Sequence, residues 1–122
     1  MATITPADME IYRQTARRRK EAYEQWRRKR VEHGWALAKR AASLLRERFQ
    51  ADKVVVFGSL LRPGYFDERS DVDLAARGIP DKDYLRAVAA VTGLDSEITV
   101  DLIRMEEASP SLCKQVEEGV EI

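Results

Sequence analysis

Three aspartates are the residues whose type and spacing could do chemistry. Asp71 and Asp73 stand two apart in Asp71-Val72-Asp73-Leu74, carboxylate alternating with aliphatic. On a strand this spacing puts both carboxylates on one face, about 7 Å apart along the backbone, and both aliphatics on the other. Two acids on one sheet face repel each other and lose hydration unless a cation neutralises them. Hard oxygen ligands of this kind suit Mg²⁺ or Mn²⁺. Taken alone, the pair reads first as an exposed strand face. Asp101 is the one acid inside the apolar run Ile98-Thr99-Val100-Asp101-Leu102-Ile103, a costly position without a purpose or a partner. A salt bridge to Arg77 or Arg104, or an edge position facing water, would also account for it. With Asp71 and Asp73 beside it, the functional reading is preferred.

A second constellation lies upstream. Val54-Val55-Val56-Phe57 is a short, β-branched run that reads as a buried strand. It stops at Gly58-Ser59, where glycine lets the backbone turn sharply and approach a ligand closely. Gly58-Ser59 alone is an ordinary strand end. Pro63-Gly64 then marks a turn in a polar loop. If the two strands form one hairpin, Gly58-Ser59 at the end of the first lies beside Asp71 and Asp73 at the start of the second. A phosphate cradle would then adjoin a metal site, the geometry that nucleotide chemistry needs.

The elements that must position these residues are legible in order. Thr5 is the expected N-cap of a first helix, with Pro6 at N1 and Asp8 supporting the first turn. Met9, Tyr12, Ala16, Tyr23 and Trp26 give it a narrow apolar stripe, interrupted by Arg19 and surrounded by Arg and Lys. So narrow a stripe suits a partner helix or a second subunit better than a lone helix. A solvated helix leaning on its own domain is an equal reading, and nucleic-acid contact ranks below both. Gly34 either ends this helix or is passed through at modest cost. From Val31 the apolar face broadens through Trp35, Ala38, Ala41, Ala42, Leu45 and Phe49, a core-facing helix that leads into the first strand. His33, the only histidine, reads as a surface residue. Asp81 is the expected cap of a later helix whose apolar side is Tyr84, Leu85, Val88, Ala89 and Val91, closing at Gly93. The strand 97–103 follows. A strand–helix–strand unit of this length favours a parallel crossover, which places Asp101 beside the Asp71–Asp73 strand. Ser109-Pro110 opens a last helix with core contacts at Leu112 and Val116 and a packing role for Cys113. Gly119 stops it, and residues 120–122 form a short edge strand.

Composition bounds the class. At 122 residues, 44% hydrophobic and 34% charged, the chain is expected to be one soluble globular domain. No run is long enough to span a membrane and no apolar signal segment leads the chain. A single cysteine, Cys113, excludes an internal disulfide and a cysteine-rich zinc site, so a cytoplasmic location fits best. The net charge of zero hides an asymmetry: residues 1–50 hold 13 Lys/Arg against 6 Asp/Glu, and residues 51–122 hold 8 against 15. The expected organisation is a basic helical arm, 1–30, followed by an acidic catalytic unit, 31–122.

Gly58-Ser59, a spacer, and Asp71-x-Asp73 together resemble the signature of the polymerase-beta-type nucleotidyltransferase superfamily. The opening Phe57-Gly58-Ser59, with Arg62 three positions on, is most similar to its small members, the minimal nucleotidyltransferase (MNT) proteins. The family's usual spacer between Ser and the first Asp is ten residues; residues 60–70 make eleven here. The resemblance covers roughly residues 31–122 and implies an α+β fold, a small mixed sheet flanked by helices, with the basic N-terminal helix as an addition. It implies Asp71 and Asp73 as ligands of two Mg²⁺ ions (Mn²⁺ is the alternative), and Asp101, in Val100-Asp101-Leu102, as third ligand and acceptor of the proton from the attacking hydroxyl. Gly58 and Ser59 would contact the triphosphate of ATP. Arg62 would contact a phosphate, with a solvated loop arginine an equal reading. Small members of the family act as antitoxins beside a HEPN-domain toxin, in some cases by transferring AMP from ATP to a tyrosine of that toxin. A homo-oligomer through the N-terminal helix is a further expected assembly. Two alternatives stand beside this one: a non-catalytic antitoxin that neutralises its partner by contact, and nucleotidyl transfer to RNA or a small molecule.

Overall fold

The first helix does not stop at Gly34. In the computed structural model, which describes residues 3–122, helix α1 runs from Pro6 to Phe49 as one 44-residue rod, about 66 Å long at 1.5 Å per residue. Met1 and Ala2, the first residues of the expected arm, lie outside the described residues. Thr5 caps the helix as expected, and the cap is reciprocal. The Thr5 side chain accepts from the Asp8 N–H at 3.1 Å, and the Asp8 carboxylate accepts from the Thr5 N–H at 3.0 Å. Gly34 is buried, and a side chain there would meet Leu60 Cδ1 at 2.9 Å and the Phe66 ring at 3.2 Å. The glycine therefore serves a close tertiary approach and not a helix end. At the far end, Gln50 turns the chain in the left-handed region, φ 67°.

The remaining elements are strand β1, Lys53–Phe57; strand β2, Val72–Arg77; helix α2, Tyr84–Thr92; strand β3, Val100–Arg104; helix α3, Pro110–Glu117; and strand β4, Val120–Glu121. They form one four-stranded mixed sheet in the order β3-β2-β1-β4. β1 pairs antiparallel with β2 and with β4, and β2 pairs parallel with β3. The expected hairpin and the expected crossover are both present. Side chains alternate in direction along the strands, so one sheet face collects Val54, Val56, Val72, Leu74, Val100 and Leu102, all 4% exposed or less. Leu37, Ala38, Ala41 and Leu45 of α1 and Ala87 and Val91 of α2 belong to the same buried cluster. The opposite face is covered only in part, where α3 packs against β1.

Several local expectations are corrected. Asp81 does not cap α2: a 3₁₀ turn, Asp81–Asp83, precedes that helix, and Asp81 pairs with Arg104 instead. The inward face of α2 is narrower than expected: Tyr84, Ala87, Val88 and Val91 share it at helical spacing, while Leu85 is 78% exposed and Ala89 faces water. Cys113 is exposed, not a packing residue, and Leu112 and Val116 are only half-buried. β3 begins at Val100, because Asp95 accepts the N–H groups of Glu97 and Ile98 in a turn ahead of it. His33 is partly exposed and paired: its Nε2 lies 2.9 Å from Asp95 Oδ1, which ties α1 to that turn. The His33 hydrogen bond, with the two backbone donors, holds the Asp95 carboxyl down at about 2.

Candidate active site

Register brings the candidate residues to one end of the sheet. Phe57, the last residue of β1, faces Asp73 across the antiparallel pair, so Gly58-Ser59 leaves β1 directly beside Asp73. Asp73 also faces Asp101 across the parallel pair, on adjacent strands about 4.8 Å apart. Asp71 precedes β2 by one residue and is exposed. Its neighbour Val72 anchors the strand start by donating its N–H to the Thr99 carbonyl at 3.0 Å. Val72 and Leu74 point into the core, and Asp73, between them, points to the other face.

Gly58 carries φ +80°, and a side chain on it would collide with the Asp73 carboxylate. Two requirements therefore select glycine here, a left-handed backbone and room for the acid. Ser59 then lies in a 3₁₀ turn, Gly58–Leu61. Gly58, Ser59, Leu61, Arg62 and Tyr65 form one wall of an open cleft of about 600 Å³ whose other wall is Gln115 of α3 and Glu118 just after it. The cleft unites Gly58, Ser59 and Arg62. The three aspartates are not among its lining residues.

The electrostatics of the acids follow from this placement. Asp73 is half-buried and lies near two other carboxylates. Burial first, then the negative charges of Asp101 and Asp71, push its carboxyl up to about 6. Asp101 is exposed on an edge strand, one of the placements expected for an acid without a catalytic purpose, and it pairs with neither Arg77 nor Arg104. Arg77 pairs with Asp52 at 3.0 Å, and Arg104 with Asp81 and Glu107. Among the described residues no three Asp, Glu, His or Cys side chains converge on a single ion position. Mg²⁺ takes only one or two carboxylates and completes its shell with waters and substrate phosphates. Asp73, with Asp101 on the adjacent strand and Asp71 two residues earlier along the chain, fits that mode by donor type and by the closeness of its like charges.

The loop between Ser59 and Asp71 is braced despite its added residue. Phe66 is fully buried against Gly34. Ser70 Oγ accepts the Asp67 N–H and donates to the Tyr65 carbonyl, and Asp67 Oδ1 accepts the Arg69 N–H. Arg30 reaches across from α1 and donates from Nε to the Asp67 carbonyl at 2.7 Å and from Nη2 to the Glu68 carbonyl at 3.2 Å. Arg30 is thus a positioning residue for the loop that delivers Asp71. In the sequence it is one of nine Arg/Lys in residues 1–30, and no local signal singles it out.

A family model described as "Polymerase beta, Nucleotidyltransferase" matches residues 39–122, which include Gly58, Ser59, Arg62, Asp71, Asp73 and Asp101 but not Arg30 or Gly34. The chain belongs to that nucleotidyltransferase family. Its domain is similar to the solved structure of a candidate minimal nucleotidyltransferase, at 31% identity over 74% of this chain and 92% of that one, with TM-score 0.58. A second similar structure is described as a toxin–antitoxin with AMP-PNP, at 25% identity over 66% of this chain and 67% of that one, TM-score 0.54. A third is a tri-AMPylated Shewanella oneidensis HEPN toxin in complex with MNT antitoxin; there the likeness, 22% identity over 72% and 70% of the two chains with TM-score 0.53, is one of fold. Comparison with curated proteins found no match. The nucleotidyltransferase domain thus has the expected mixed sheet flanked by helices, and no described helix is long and apolar enough to cross a membrane.

Proposed function

We propose that this nucleotidyltransferase moves AMP from ATP to a protein hydroxyl, a tyrosine of a HEPN-domain toxin, and so acts as the antitoxin of a toxin–antitoxin pair. The observation that carries the reading is the register of Asp73, flanked by Gly58-Ser59 on one strand and by Asp101 on the other. Similarity to an MNT antitoxin fold complexed with an AMPylated HEPN toxin supports the choice of acceptor.

In this reading Asp71, Asp73 and Asp101 hold divalent cations, Mg²⁺ or Mn²⁺. When bound, these neutralise charge on the transferring phosphate and leaving pyrophosphate. Gly58 and Ser59 bind the triphosphate through backbone N–H and hydroxyl, and Arg62 adds a cation at the cleft wall. The acceptor oxygen bonds to the α-phosphorus as the bond to pyrophosphate breaks, and Asp101 takes the hydroxyl proton. The exposure of Asp101 on an edge strand gives an incoming side chain access to it.

Intact mass of a co-expressed HEPN toxin, measured after incubation with the chain, ATP and Mg²⁺, tests the proposal. An adenylyl-sized gain that Asp73→Asn abolishes is expected. A stable complex without any gain would replace it with neutralisation by contact. No complex at all would direct the search to RNA or a small-molecule acceptor.

A further inference from the structure

Half of α1 lies outside the domain. From residue 3 to Trp26 every described residue is exposed, while Gly34, Leu37, Ala38, Ala41, Ala42 and Leu45 of the same helix are buried. The exposed half nevertheless continues the buried seam. Ala16 and Tyr23 stand about five helical turns before Gly34 and Ala41, and Met9 about ten turns before Leu45, at 3.6 residues per turn. These residues, with Tyr12, lie along the line by which the helix grips its own core. Met9 is 38% exposed, Tyr12 70%, Tyr23 42% and Trp26 40%. The end of the stripe is already ordered: Tyr23 and Trp26 stack at 5.7 Å, Arg27 lies over Tyr23, and Arg30 over Trp26. Arg30 is also the residue that holds the Asp67–Glu68 backbone, so the stripe ends at the loop leading into Asp71.

We infer that this stripe is the docking surface for an acidic amphipathic helix of the toxin, seated alongside α1 and ending next to the candidate active site. The inference rests on the proposed function for the partner's identity. The anchors recur at three- and four-residue spacing, as in helix-to-helix contacts. Arg13, Arg19, Lys20 and Arg27 border or interrupt the line, and residues 1–30 hold 9 Lys/Arg against 4 Asp/Glu, so charge complementarity calls for an acidic occupant. A second copy of the same arm would set like charges together. RNA is less suited, because the cations surround the rod on all sides and the stripe itself is aromatic and aliphatic.

The test compares the full chain with a Tyr12→Ala/Tyr23→Ala/Trp26→Ala variant, using a co-expressed HEPN toxin as the probe. The variant should keep its helicity and thermal midpoint, since these residues contribute little to the core. Its affinity for the toxin should fall at least about 30-fold, and the residual binding should weaken as salt rises. Unchanged affinity would overturn the inference, and so would formation of no complex by the intact chain. Loss of a dimer of the chain alone would assign the stripe to a second copy, and loss of salt-steep binding to a single-stranded RNA probe would assign it to nucleic acid; either overturns the inference. Asp73→Asn separates the two readings: it should bind the toxin as tightly as the intact chain while transferring no AMP. If the intact chain forms a stripe-dependent complex yet transfers no AMP, docking stands and the proposed catalysis fails.

Discussion

Asp73 and Leu74 are neighbours in one strand and face opposite sides of one sheet. Leu74 joins Val54, Val56, Val72, Val100 and Leu102 under α1 and α2, a face closed to water. Asp73 looks the other way, toward Asp101 on the adjacent strand and the glycine turn after β1, where the charges of Asp101 and Asp71 act on it. The first face stabilises the fold by apolar burial. The second is destabilised by the burial of the Asp73 carboxylate and by its repulsion from Asp101 and Asp71. A strand of alternating character keeps the two separate, so a family of this kind can hold a strained acidic site on a small domain.

Substitution should split the faces cleanly. The largest effect expected is on turnover: Asp73→Asn should cut nucleotidyl transfer by about 10³-fold or more with an unchanged circular dichroism spectrum, checked by radiolabel transfer from α-labelled ATP. Full activity would break the comparison. Leu74→Ala, one residue on, should instead cost about 3 kcal/mol of stability by urea titration, while leaving turnover at low temperature largely intact. The same Asp73→Asn change should stabilise the ligand-free protein at neutral pH by about 1 kcal/mol, a value reduced for solvent screening of a half-buried group.

The sign of that term gives a pH test. The Asp73 carboxyl titrates at about 6 in the fold against 3.8 for an ordinary aspartate. Its contribution is therefore most favourable below 3.8 and is lost as pH rises through 6, the reverse of Asp95, whose lowered value contributes stability that is lost at acid pH. Subtracting the Asp73→Asn stability curve from that of the intact chain should isolate a fall of about 1 kcal/mol across this window. A flat difference would show that neither burial nor the neighbouring acids raise this carboxyl. The smallest effect expected is from Mg²⁺: millimolar ion should raise the thermal midpoint by about 2 °C in the intact chain, and by less in Asp73→Asn, read by scanning calorimetry.

Most of the fold could be read because its signals are local. A β-branched run closed by Gly58-Ser59 and an alternating run closed by Gly78 mark the first two strands, and the length of the segment that follows favours a parallel crossover. The acids were placed at one sheet end by period and topology alone. Other features depend on partners distant in sequence. Gly34 looks like a helix terminus by propensity, and only contact with Leu60 and Phe66 explains why the helix passes through it. Arg30 resembles its neighbours until its reach to Asp67 is known. Asp81 looks like the cap of α2 until its pairing with the distant Arg104 and the 3₁₀ turn ahead of the helix are known. Ser70, which braces the lengthened loop, gives no pattern in the sequence.

The unbroken course of α1 has one more consequence. With no hinge between Pro6 and Phe49, the compass bearing of the aromatic stripe is fixed by residue count. One alanine inserted between Arg28 and Lys29 would swing the stripe by about 100° while lengthening the rod by only about 1.5 Å. Seven inserted residues would return it to within about 20° of its original bearing, displaced by about 10 Å. The helix is in this sense a clock hand as well as a spacer, and insertions of different lengths could report angle and distance separately.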